Sequence, residues 1–133
     1  MEEELTSEPE VTREEALAMV AAIKHKMDVL SARYRTMREP DERLGDLPGP
    51  SQLRRTARRV RAGLFKPTWM TESAEELARE YDYAAEFIET EINARRLASR
   101  YKRMLEDVED GFYDDVKDDF DDLKARVRDF DAI

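Results

Sequence analysis

The side chains whose types and spacing could do chemistry here are carboxylates and guanidinium groups. Asp114, Asp118 and Asp122 recur at i, i+4 and i+8, with Asp115 and Asp119 in the neighbouring row. On a helix that spacing lines acids along one face. Clustered carboxylates can hold Mg²⁺ or Ca²⁺. The spacing is not that of an EF-hand loop, however, and a cation cage draws ligands from more than one element. The expectation is therefore a solvated acidic interaction face and no metal.

The opposite chemistry lies upstream. The stretch SQLRRTARRVRAGLFKP, residues 51–67, holds Arg54, Arg55, Arg58, Arg59, Arg61 and Lys66 and no carboxylate. Arginine presents a rigid, always-charged donor fork that suits phosphate and carboxylate alike. This basic face can take a nucleic-acid backbone or an acidic protein surface. Phe65 and Trp69 flank it; they read as core or interface anchors, with base stacking the alternative.

Catalytic constellations are not evident. His25 is the only histidine and there is no cysteine, so a zinc triad and a thiol nucleophile are both excluded. His25 falls on the helix face farthest from the apolar seam, and Ser31 is almost two turns away on another face. Gly45, Gly49, Gly63 and Gly111 form neither a P-loop nor a dinucleotide fingerprint. The expectation is a non-enzyme with no catalytic residues, no cofactor, no metal and no small-molecule substrate.

The elements that must position these groups are helices. Charged and hydrophobic residues each make up 41% of 133 residues, with only four glycines and five prolines to supply turns. Thr12 and Glu15 form a capping box, after which Ala16, Val20, Ile23, Met27, Leu30, Tyr34 and Met37 recur as a heptad seam. Pro40 ends that helix. The reading along the chain is an acidic lead-in at 1–11, a helix at 12–39, a Pro/Gly connector at 40–50 and a basic helix at 51–62. A long helix at 71–110 and an acidic amphipathic helix at 112–132 follow. On the basic helix Leu53, Ala57, Val60 and Leu64 share a narrow apolar sector. The whole is read as a single all-α domain: an antiparallel, coiled-coil-like long-helix hairpin with a short basic connecting helix and an acidic C-terminal helix.

Charge blocks choose the orientation of that hairpin. Antiparallel pairing sets Arg33, Arg35 and Arg38 against Glu72, Glu75, Glu76 and Glu80. It also sets Lys24 and Lys26 against Asp82, Glu86 and Glu89, and Glu14 and Glu15 against Arg95 and Arg96. At about 1.5 Å per residue the first helix spans about 40 Å and the long one about 60 Å. Tyr101, Leu105, Val108 and Phe112 then overhang, to be covered by the C-terminal helix or by another subunit. Trp69, Tyr101, Leu105, Phe112, Val116, Phe120 and Phe130 are the candidate apolar interface.

The formal net charge is −9, which opposes general affinity for nucleic acid. The start MEEELTSEPE is acidic and lacks the apolar core of a secretory leader, and no apolar run is long enough to span a bilayer. No membrane association is expected. The compartment expected is the cytoplasm or an intracellularly assembled particle. The function expected is a helical assembly, adaptor or structural protein held in a homo-oligomer or larger complex, a particle such as a virion being one setting. The alternatives are a nucleic-acid-binding protein using the arginines at 54–61 and an acidic, nucleic-acid-mimicking inhibitor using 106–122.

Overall fold

A computed structural model describes residues 10–133. The first nine residues of the expected acidic lead-in lie outside the described residues. The protein is all-α, with no strand among the described residues. Among the described residues four helices follow in order: α1, Arg13–Thr36; α2, Pro50–Arg61; α3, Ala74–Asp110; and α4, Tyr113–Arg126. Short 3-10 turns lie at Glu42–Leu44 and Phe130–Ala132. Among the described residues no helix is long and apolar enough to cross a membrane.

Local chemistry explains each start and stop. Thr12 and Glu15 cap α1 reciprocally: the Thr12 N–H donates to Glu15 Oε1 at 2.9 Å and the Glu15 N–H to Thr12 Oγ1 at 3.1 Å. The helix stops at Thr36, short of Glu39. Met37 turns back onto the Tyr34 carbonyl at 3.2 Å, and the Thr36 hydroxyl donates to the Arg33 carbonyl at 2.9 Å. Helix α2 starts at Pro50, with Gly49 at its cap, because proline tolerates the first helical position where no N–H is needed. Helix α3 opens on a second capping box, Ser73 with Glu76, at 3.0 and 3.2 Å. Helix α4 ends at Arg126, earlier than its apolar stripe suggests. Asp129 then takes a left-handed backbone (φ 56°), which drops Phe130 into the core.

The described residues pack as two compact units. One unit joins the described residues up to Ala32 with Asn93–Ile133; the other is Arg33–Ile92. Both boundaries fall inside helices, α1 and α3. In the first unit Ala16, Val20, Ile23 and Leu30 of α1 pack with Leu97, Met104 and Val108 of α3 and with Val116 and Leu123 of α4. In the second, Leu53, Ala57 and Val60 of α2 pack with Leu77, Ala78, Tyr81, Ala84 and Ala85 of α3. Burying each of the larger of these side chains contributes about 1.5–3 kcal/mol, so the apolar stripes carry the fold.

The expected charge register is corrected by these contacts. Arg38 does meet Glu80, at 3.1 Å, with its guanidinium 4.0 Å over the Tyr83 ring. Lys24 instead pairs with Asp28 of its own helix at 2.6 Å, and Lys26 donates to the Phe130 carbonyl at 2.8 Å. Exposed ion pairs are worth only about 0–1 kcal/mol each; apolar packing overrides them.

Candidate functional site

Helix α2 sorts its arginines by distance from its buried stripe. Leu53 and Val60 are 1% exposed and Ala57 is fully buried. Arg54 and Arg61 lie at the edges of that stripe and turn inward to α3. Arg54 donates to Glu89 at 2.7 Å; Arg61 donates to Glu75 at 3.0 Å and to Asp82 at 2.8 Å. The hydrogen bonds from Arg61 hold the Glu75 carboxyl below its ordinary range. Arg55, Arg58 and Arg59 face solvent, as does Lys66, and none makes an ion pair among the described residues. Arg55, Arg58, Arg59 and Lys66 are thus the exposed part of the basic stretch, with Arg54 and Arg61 engaged within their own unit.

The end of α2 adds an apolar group. Gly63 takes φ 73°, the Gly63 N–H donates to the Val60 carbonyl at 3.1 Å, and the Leu64 N–H reaches the Arg59 carbonyl at 2.8 Å. These are the paired bonds of a Schellman end. The turn swings Leu64 off the apolar sector where helical periodicity places it, leaving it 70% exposed beside Phe65 at 39%. The sequence reading misses this; a glycine followed by a hydrophobic residue after the last basic turn is the signal that could have found it.

The acidic face divides in the same way. Asp119 is 8% exposed and accepts from Arg103 Nε at 3.0 Å and Arg100 Nη1 at 3.4 Å. Asp122 pairs with Arg100 at 2.6 Å and Arg126 at 2.7 Å, and those hydrogen bonds, that from Arg126 foremost, lower its carboxyl pKa. Asp114 accepts the Val11 N–H at 3.3 Å. Asp115 and Asp118 stay exposed without an ion pair among the described residues, and so do Glu106, Glu109 and Asp110 at the end of α3. No group of three or more acids or histidines is placed to hold a metal ion among the described residues.

The candidate apolar interface is mostly internal. Val116 is fully buried and Phe130 is 4% exposed; Phe120 packs edge-on against Phe130 with ring centroids 5.4 Å apart, and Tyr101 lies against the same cluster. Trp69 packs on the second cluster, with the Arg43 guanidinium 5.0 Å over its ring. The physical reason is that α4 folds back on α3 and covers Val108, the first of the two ways of covering the overhang. Leu105 and Phe112 remain outside, at 40% and 54% exposure. Phe112 follows a second Schellman end: Gly111 takes φ 80° and the Phe112 N–H donates to the Asp107 carbonyl at 2.8 Å. Gly111 therefore ends α3 rather than bending it.

His25 is exposed. A shallow cleft of about 390 Å³ lies where the start of α1 meets α4, lined by Val11, Ala18, Met19 and Phe120 and rimmed by Glu15 and Lys117.

Comparison with protein-family models, with curated proteins and with solved structures finds no match to this chain.

Proposed function

We propose that the protein is a non-catalytic assembly or adaptor component that works through protein–protein contacts at its charged helix ends. The observation that carries this reading is the α2 end. Among the described residues Arg55, Arg58 and Arg59 lie exposed without ion pairs, beside Leu64 and Phe65. A charged face joined to exposed apolar side chains is the composition of a contact surface. In this reading α1 and α3 act as an antiparallel, coiled-coil-like hairpin frame. Support comes from the seam residues Val20, Ile23 and Leu30, buried with Leu97 and Met104, and from Tyr34 against Phe87 with ring centroids 5.0 Å apart.

Nucleic-acid binding is the second reading, favoured by the same three arginines with Phe65 beside them to stack on a base. The two separate on the native complex. The protein-contact reading expects the chain from its source to run well above 15.6 kDa. It expects nuclease to leave that complex intact, and the triple change Arg55→Ala, Arg58→Ala, Arg59→Ala to dissolve it. Collapse on nuclease treatment, with the chain left monomeric, would overturn the protein-contact reading in favour of the second.

A further inference from the structure

Among the described residues, the exposed acids and the exposed arginines that make no ion pair form two patches of opposite sign. On α2 the exposed arginines stand at i, i+3 and i+4, as Arg55, Arg58 and Arg59. At the end of α3 the exposed acids stand at the same spacing, as Glu106, Glu109 and Asp110. Residues so spaced are neighbours on one helix face, about 5–6 Å apart, so the two patches match in size as well as in sign. Asp115 and Asp118 of α4 extend the acidic patch. Each patch also carries an exposed apolar residue raised by a Schellman end, Leu64 on the basic side and Phe112 on the acidic side.

The acidic patch is electrostatically incomplete as it stands. Helix α3 has no basic residue in its last turn, and Asp107, Glu109 and Asp110 sit where the helix dipole already places negative charge. Burial, followed by repulsion from Asp115, Asp119 and Asp110, pushes the Asp107 carboxyl above its ordinary range. A cationic group docked there would offset the repulsion between these acids and the charge of the helix end. The α2 end has the reverse character: Arg58, Arg59 and Arg61 lie in its last turn, where cations are favoured.

The geometry points to a second copy of this chain as the occupant: the α2 end of one copy docks on the α3–α4 turn of the next. This rests on the reading that the protein works through protein contacts. The two surfaces differ, so the contact is head-to-tail and a docked pair keeps one free face of each sign, which permits rings or open chains. The net charge of −9 opposes association at long range. Screening over about 8–10 Å near physiological salt confines the decision to the facing patches. Patches of so few residues make a small contact, of the kind that is weak and transient.

The test uses two neutralised variants of the full chain in sedimentation equilibrium at about 0.1 M salt. One carries Arg55→Ala, Arg58→Ala and Arg59→Ala. The other carries Glu106→Gln, Glu109→Gln, Asp110→Asn, Asp115→Asn and Asp118→Asn. The wild-type mass should grow with concentration and fall back to 15.6 kDa at about 1 M salt. Each variant alone should stay monomeric, with unchanged helical circular dichroism. Their mixture should form a 1:1 dimer that grows no further, because only one intact interface can be made. A wild-type chain monomeric at every concentration, or variants that still self-associate, or a mixture that stays monomeric beside a wild type that associates, would each overturn the proposal. A native complex that survives nuclease while the purified chain stays monomeric retires self-pairing and leaves the protein-contact reading standing.

Discussion

Arg103 grips both carboxylate oxygens of Asp119: its Nε donates to Oδ2 at 3.0 Å while Nη2 reaches Oδ1. Arg100 adds a second guanidinium at 3.4 Å. Asp119 thereby ties α4 to α3 rather than serving as a surface acid. Replacing it by alanine strands Arg103, itself partly in water, and leaves Arg100 only its pair with Asp122. The expected loss is about 1–3 kcal/mol, the range for hydrogen bonds to charged groups. Urea unfolding should show a lower midpoint with an unchanged slope.

Leu53 anchors α2. It is 1% exposed and packs in the cluster with Leu77, Tyr81 and Ala84. Leu53→Ala should cost about 2–5 kcal/mol, transfer and cavity terms together. Trp69 is the single tryptophan and packs on this same cluster, so its emission reports the second unit alone. Its red shift should come at lower urea in the variant.

Gly63 holds the left-handed position that ends α2. An added Cβ would meet no atom within 4 Å, so any penalty comes from the backbone and not from crowding. Gly63→Ala should cost about 1–2 kcal/mol. It should also redirect Leu64, weakening whatever contact that residue makes.

Glu72 sets a pH dependence. Hydrogen bonds from Arg43 foremost hold its carboxyl down at about 2, against an ordinary 4.5. A folded pKa below the unfolded one gives stability that is fully present above the unfolded value. It is lost as pH falls through the folded one. Between about pH 4.5 and 2 the wild type should lose this contribution. Glu72→Gln should be less stable at neutral pH and show a shallower decline across that window, read by thermal melts at stepped pH.

What is local in this fold is legible in the residues. The capping boxes of Thr12 with Glu15 and Ser73 with Glu76, the stripe Leu53, Ala57 and Val60, and the exposed His25 all follow from spacing along one helix. The charge register does not. Blocks of alternating sign at Lys24, Lys26 and Glu86 can be paired in several offsets that differ by small screened energies. The larger apolar burial around Ile23, Leu97 and Met104 decides among them. Phe112 and Leu64 also defeat periodicity. Each follows a glycine that leaves the helix, so continuing the 3.6-residue pattern through Gly63 or Gly111 puts the side chain on the wrong face. The partition of Asp119 from Asp118 was equally hidden. Adjacent acids look alike in sequence, and only the fold-back of α4 places one of them under Arg103.

Contact with a protein partner at the end of α2 is tested most directly by a photocrosslinking residue placed at position 64, where Leu64 is 70% exposed and lies outside the core. Activated in the native source, it should capture polypeptide at that position, and capture should vanish when Arg55, Arg58 and Arg59 are changed to alanine. Capture of nucleic acid, or no adduct at all from the wild-type background, would contradict it.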